Sequence, residues 1–342
     1  MSPIKFAVVG CGHIGKRHIE MIRRNPDCEL VAACDILPYP ELGLALFDIP
    51  SSRFVPSIED LLLDFDFDVL NVCTPNGLHA SMAIQGLNSG RHVVIEKPMA
   101  LNTTEAQAVL DAAEKNTKRV FCVMQNRYSP PSVWLKELIE SGKLGDIYMV
   151  QVNCYWNRDD RYYKPGNWHG TKNLDGGTLF TQFSHFIDLM YWLFGEIDDI
   201  QASIADFNHQ TLTDFEDSGF INFRFKSGGM GMFNYSTAVY DKNFESSVVI
   251  VGQYGTVKVG GQYMNEVEYC HIKDYEMPVL APTNPGNDYG AYKGSAQNHH
   301  YVIENIVDVL KRGSHVTTNA HEGYKVVEII EQIYKTSKRV GD

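Results

Sequence analysis

The apolar run Ile4–Val9 stops in Gly10-Cys11-Gly12-His13-Ile14-Gly15, and Ile19 and Ile22 follow at helical spacing. A strand that breaks into spaced glycines and reopens as a helix has few structural solutions. The first glycine allows a tight turn, the second lets the backbone approach a pyrophosphate, and the third lets the helix close on the strand. The helix N-terminus then offers amide donors to the anion. A second run, Leu30–Cys34, ends in Asp35, twenty residues past Gly15. A carboxylate placed there accepts hydrogen bonds from both ribose hydroxyls and repels a 2′-phosphate. No Lys or Arg lies in Ile36-Leu37-Pro38-Tyr39-Pro40 to neutralise such a phosphate, so NAD is the expected cofactor over NADP. The competing local use of Asp35 is as a helix N-cap.

The same texture continues to about residue 123. Val69–Cys73, Val93–Ile95 and Val120–Val123 are short Val- and Ile-rich runs, and the stretches between them carry helical patterns. One of these, Thr103–Asn116, is preceded by Asn102, which with Glu105 has the spacing of a capping box. Continuous apolar strands separated by helices predict a parallel sheet covered on both faces. After Tyr128-Ser129-Pro130-Pro131 the pattern changes to alternation, with Tyr148, Val150, Val152, Cys154 and Trp156 among more polar neighbours. Phe220–Phe225, Gly231–Tyr235, Ser247–Val251 and Thr256–Val259 follow, punctuated by Gly and Ser, which predicts an antiparallel sheet. The expected fold class is therefore α/β. It has an N-terminal Rossmann dinucleotide-binding domain, 1–123, and a C-terminal α+β domain, 124–342, with a large, mostly antiparallel open sheet. Two apolar stripes predict closing helices at about 296–312 and 321–338. The proline- and glycine-rich stretch Pro278–Gly294 is expected to be a long ordered loop or a mobile lid.

A length of 342 residues suits two such domains. The net charge of −12 disfavours nucleic acid and anionic membrane as partners, and no apolar run approaches the ~18 residues of a spanning helix. Seven cysteines are scattered without a Cys-x-x-Cys pair, so no metal site or disulfide framework is expected. With no leader pattern before Ile4, the expected compartment is the cytoplasm.

Two longer motifs, Cys73-Thr74-Pro75-Asn76-Gly77-Leu78-His79 and Gly90-Arg91-His92-Val93-Val94-Ile95-Glu96-Lys97-Pro98, occur with Asp175-Gly176-Gly177-Thr178-Leu179 followed by His185 and Asp188. Together they resemble the glucose-fructose oxidoreductase / inositol dehydrogenase family, known as Gfo/Idh/MocA, over essentially the whole chain. The resemblance implies an NAD-dependent oxidoreductase. It implies cofactor contacts from Gly10, Gly12, His13, Ile14, Gly15, Asp35, Cys73, Thr74, Pro75, Asn76, His79, Glu96, Lys97, Gln125 and Trp168. It also implies a catalytic pair, Lys97 and His185, beside the nicotinamide. Oxidation of a secondary alcohol needs such a base, because the hydroxyl proton leaves as hydride departs. A lysine near a cationic nicotinamide has its ammonium form disfavoured, and a histidine titrates close to neutrality. The alternatives are a surface lysine before a proline turn and a hydrogen-bonded core histidine. Many sugar dehydrogenases of this family have an aspartate four residues before that histidine. Here the position is Thr181, which cannot serve as a carboxylate, so Lys97 becomes the better base.

Gln125-Asn126-Arg127, Trp156-Asn157-Arg158, Tyr162-Tyr163, Asn167-Trp168 and Gln182-Phe183-Ser184-His185 are similar to one subgroup of the family, the WlbA-type enzymes. These oxidise C3 of UDP-N-acetylglucosaminuronate for surface-polysaccharide sugars. His169 departs from the arginine that commonly follows Trp168. The resemblance implies substrate contacts from Lys97, Asn126, Arg127, Arg158, Tyr162, Tyr163, Gln182 and His185. Charge patterning points the same way: between Tyr155 and Lys172 there are four basic residues, two acidic ones and five aromatic ones. That suits an anionic ligand with a stackable ring, such as a nucleotide sugar, although a subunit interface has a similar composition. A homodimer or homotetramer through the C-terminal sheet is expected. The competing readings are an inositol or simple-sugar dehydrogenase, an NAD-dependent glycosidase, and a non-catalytic nucleotide-sensing regulator.

Overall fold

The computed structural model describes residues 2–290 and 292–340, which fall into two compact units. The first comprises residues 1–124 and 299–327, and the second 125–298 and 328–342. The expected division gave all of 124–342 to the second unit. Residues 299–327 instead pack with the first, for a reason visible in their side chains.

In the first unit, β1 (Ile4–Val9), α1 (His13–Arg24), β2 (Cys28–Cys34), the short α2 (Tyr39–Leu42), β3 (Phe54–Val55), α3 (Ile58–Asp64) and β4 (Val69–Val72) come first. They are followed by α4 (His79–Asn88), β5 (His92–Ile95), α5 (Thr103–Lys115) and β6 (Val120–Cys122). The strands form one parallel sheet in the order β3-β2-β1-β4-β5-β6. The order in which strands are added to the sheet reverses between β1 and β4, and ligands in doubly wound sheets bind at the carboxyl ends of the strands at such a point. The loops after β1 and β4 are the glycine motif and Cys73-Thr74-Pro75. Asn102 caps α5 by accepting from the Glu105 amide at 2.9 Å.

In the second unit, α6 (Pro130–Glu140), β7 (Ile147–Tyr155), α7 (Ser184–Phe194) and β8 (Ile197–Ala205) are followed by β9 (Ser218–Phe225), β10 (Met230–Ser236) and β11 (Glu245–Gly252). Then come β12 (Gly255–Gly260) and β13 (Glu266–Ile272). The large sheet runs β13-β12-β11-β7-β10-β9-β8-β16, where β16 is Ser337–Arg339. It is mixed: β7 with β10 and β8 with β16 are parallel, and the other neighbours antiparallel. The stretch expected as a loop or lid contains a small hairpin, β14 (Gly286–Asp288) with β15 (Lys293–Ala296), while Ala291 lies outside the described residues.

The closing helices are α8 (His299–Arg312) and α9 (Ala320–Thr336). α8 lays its apolar stripe, Val302, Ile303 and Ile306, into the first unit beside α1. Lys311 reaches Asp27 at 2.5 Å, and the Thr318 carbonyl accepts from the Cys122 amide at 3.0 Å, covering the edge of β6.

Candidate active site

Gly10 has φ +87°, and a Cβ on it would lie 2.6 Å from the Cys73 carbonyl; a Cβ on Gly15 would lie 1.8 Å from the Gly10 oxygen. Both positions exclude any side chain, the first at the turn and the second at the crossing of helix and strand. Gly12 differs: nothing lies within 4 Å of where its Cβ would be. That open cradle heads α1, whose first turn carries no acidic residue, as a pyrophosphate requires. Asp35 stands at its side, its Oδ2 accepting from the Cys11 amide at 2.6 Å and its Oδ1 from the Leu37 amide at 2.9 Å. The carboxylate is thus oriented by backbone and retains acceptor capacity for a ribose. Across the switch point, the Thr74 hydroxyl oxygen is buried with no hydrogen-bond partner, and a buried polar atom of this kind suits a polar ligand. The residues present fit NAD. Asp35→Ala is expected to weaken NAD binding roughly 10-fold or more, read by fluorescence titration, because charge-assisted bonds of about 1.5–3 kcal/mol are lost.

Two residues expected to touch the cofactor are turned inward. Both ring nitrogens of His79 face backbone carbonyls, Pro98 O at 2.7 Å and Thr74 O at 2.8 Å, and burial lowers its pKa. It ties the two loops together. Glu96 is buried against His18, with Oε1 2.8 Å from Nε2. Lys97, by contrast, is half-buried just past β5.

His185 lies in the second unit, 3% exposed, in the first turn of α7. A π-helical turn, Leu179–Phe183, precedes it and is wholly buried. Such turns are rare and recur at functional sites. Thr181 sits in this turn and donates to the Asp175 carboxylate, itself fully buried and accepting from the Gly170 amide at 2.8 Å. A carboxylate therefore does stand behind Thr181, contributed from six residues earlier. Behind the turn, the Leu179 amide donates to the Tyr334 hydroxyl at 3.1 Å, and Tyr334 donates to Glu216 at 2.8 Å. Burial pushes the Glu216 carboxyl up to about 7.

Arg127, expected to touch substrate, is engaged in a buried ion pair. Its Nε and Nη2 make a fork on Asp188, at 2.8 and 2.6 Å, with both side chains almost completely buried. The local sequence offered no sign of this pairing. Its neighbours Gln125 and Asn126 are buried too, and Gln125 Oε1 and Asn126 Oδ1 have no hydrogen-bond partner. Tyr163 is likewise core, packed with Tyr162 and Phe215. Trp168 is half-buried and stacks on His169 at 3.8 Å.

Arg158 is different. It is 2% exposed, and four of its N–H groups meet neutral acceptors: Gln182 Oε1 at 2.8 Å, Asn157 O at 2.6 Å, Asn243 Oδ1 at 3.1 Å and Lys293 O at 3.0 Å. The rings of Trp156, Tyr162 and Tyr292 lie about its guanidinium at 4.8, 5.2 and 5.0 Å. Among the described residues no carboxylate pairs with it. Gln182 links Arg158 to the π-turn and also donates to the Tyr162 hydroxyl at 2.9 Å. The Arg158 carbonyl faces His209 Nε2, whose Nδ1 is 3.0 Å from Asp217. Burial opposes charge on this ring, but two acceptors hold both protons and raise its pKa. Sequence reasoning missed His209, His18 and Glu216, since nothing local marks their partners.

A Rossmann unit with a dinucleotide cradle, followed by a second unit carrying a buried histidine and an uncompensated arginine, defines a dinucleotide-binding protein of two-unit design. Residues 4–124 match the family model described as oxidoreductase family, NAD-binding Rossmann fold, and residues 133–258 match the GFO/IDH/MocA C-terminal domain. The chain belongs to the GFO/IDH/MocA family. Among solved structures it is similar to the WlbA dehydrogenase of Bordetella pertussis in complex with NADH and UDP-GlcNAcA. That match has 32% identity and a TM-score of 0.86, covering 98% of this chain and 96% of that one. The WlbA dehydrogenase of Chromobacterium violaceum, with the same ligands, matches at 31% identity and a TM-score of 0.86 over 98% and 94%. Inositol 2-dehydrogenase of Salmonella typhimurium is 30% identical over 196 residues, 56% of this chain and 55% of that protein. The chain thus spans about half the length of the first curated relatives it matches. No helix among the described residues is long and apolar enough to cross a membrane.

Proposed function

We propose that the chain is an NAD-dependent dehydrogenase that oxidises a secondary hydroxyl of a nucleotide sugar, C3 of UDP-N-acetylglucosaminuronate. The observation that carries the substrate class is Arg158. A buried guanidinium without a carboxylate is costly, and a bound anion compensates it. The aromatic faces around it suit a ligand that brings a ring with its charge. Asp35, the Gly12 cradle and Thr74 hold NAD, which when bound accepts the hydride. Lys97 takes the hydroxyl proton on Nζ, and His185 is the alternative base. Synthesis of surface-polysaccharide sugars in the cytoplasm is the setting this reading implies.

The test is NADH formation at 340 nm in the presence of each sugar. Turnover of UDP-N-acetylglucosaminuronate is expected to exceed that of UDP-N-acetylglucosamine at least 10-fold, because the hydroxymethyl group leaves the site's cation unpaired. Arg158→Ala is expected to raise KM for the uronate roughly 10- to 100-fold with NAD affinity unchanged. Equal turnover of both sugars would end the uronate reading. Full activity on free inositol would favour the second reading, an inositol dehydrogenase, which the Salmonella relative supports.

The outer face of the large sheet presents Met149, Phe220, Met230 and Met232, all exposed. Met230 pairs with Met149 in register, so these side chains are contiguous. A second copy of the chain is the proposed cover. Met230→Lys with Met232→Lys is expected to convert a dimer or tetramer to monomer in light scattering.

A further inference from the structure

Glu96 follows β5 and precedes Lys97, and its carboxylate is buried. Its Oε2 accepts from the Lys97 amide at 3.2 Å, and its Oε1 accepts from His18 Nε2 at 2.8 Å. On the far side of that ring, His18 Nδ1 accepts from Asn71 Nδ2 at 2.8 Å, which leaves the ring's proton on Nε2, pointing at Glu96. Asn71 is fully buried in β4. His299, in the first turn of α8, places Nε2 3.5 Å from the same carboxylate oxygen and packs edge-on against His18 at 5.7 Å. Burial opposes ionisation of Glu96, yet the two imidazoles hold its carboxyl well below the usual carboxylate range.

Buried ions are expensive, and apolar replacements of similar volume are often neutral or stabilising. This one ends on a backbone N–H, that of the residue assigned as the base. We infer that His18 is a positioning residue for Lys97, acting through Glu96, with His299 fixing the ring of His18. Asn71 sets the tautomer of His18, His18 fixes the carboxylate, and the carboxylate fixes the Lys97 amide and so the direction in which the side chain leaves the strand. His299 also gives a reason for the chain's return to the first unit at residue 299.

The inference rests on the reading of Lys97 as base, and the experiment separates the two. In His18→Leu the donor is lost. The Lys97 amide is expected to exchange with solvent deuterium at least ~10-fold faster, and kcat to fall ~10- to 100-fold, with KM and NAD affinity within ~3-fold of wild type. His18→Gln, whose amide can donate to Glu96, is expected to restore most of both. In a Lys97→Met background, His18→Leu is expected to cost nothing further, since residues that act as a unit are not additive. An unchanged exchange rate at Lys97 would overturn the inference whichever sugar is turned over. So would an undiminished effect of His18→Leu on kcat when Lys97 is already methionine. A stoichiometric transition metal surviving dialysis would also overturn it, since His18 Nε2, Glu96 Oε1 and His299 Nε2 lie within 4.8 Å of one another. Wild-type rates in Lys97→Met would instead remove the base reading itself.

Discussion

Replacing Lys97 by methionine is expected to lower the rate of hydride transfer roughly 10²- to 10⁴-fold while NAD remains bound, the range typical of lost acid-base catalysis. Methionine keeps much of the side chain's length and apolar stem, so packing at this half-buried position is preserved and only the amine is removed. Stopped-flow measurement of NADH formation with saturating sugar isolates the step. A variant within threefold of wild type would assign the proton to another group, and His185 is then the candidate. Loss of NAD affinity would make Lys97 a cofactor contact. The carboxylate behind Thr181 does not supply an easy substitute, because Asp175 is fully buried and committed to the Thr181 hydroxyl and the Gly170 amide.

Arg127→Ala should show its largest effect in stability rather than in substrate affinity. Removing one partner of a buried, bidentate ion pair strands the other, at about 3–5 kcal/mol. Asp188 is 1% exposed and has the Arg127 fork on both of its oxygens. A fall of roughly 10 °C in the unfolding midpoint of the second unit is expected from such a loss. KM of the fraction that remains folded should stay within ~3-fold of wild type. Arg127→Met combined with Asp188→Leu should recover most of the midpoint, since the pair is then replaced by apolar volume. A large KM change with an unaltered melting curve would return Arg127 to the substrate.

What was legible in the sequence was what short-range chemistry writes there. Gly10, Gly12 and Gly15 each answer a separate backbone demand, and Asp35 is fixed by the end of β2, so strand, turn and carboxylate are readable together. The alternation in β7 and β9 announces a sheet with one buried face, though not that β7 and β10 run parallel. Side-chain partnerships were beyond reach because they join distant residues. Arg127 meets Asp188 across 61 positions, Arg158 meets the Lys293 carbonyl across 135, and His18 meets Glu96 across 78. Arg127 and Arg158 look alike as sequence, each an arginine among aromatic and amide residues. One proves to be neutralised by a carboxylate and the other by nothing described, a difference that only packing creates. Tyr163, His79 and Glu96 were read as ligand contacts for the same reason: motif position says where the backbone goes, and burial decides which way the side chain turns.

The interrupted order of the first unit bears on how the protein is made. Its six strands leave the ribosome first, but the helix that covers α1 and the segment that covers the edge of β6 lie beyond residue 298. During synthesis the nascent sheet must wait, with the surface meant for Val302, Ile303 and Ile306 still wet, until α8 has been translated. Closing that long loop is a slow, non-local step. A C-terminal truncation ahead of α8 would therefore damage the dinucleotide-binding half, although every one of its strands is intact.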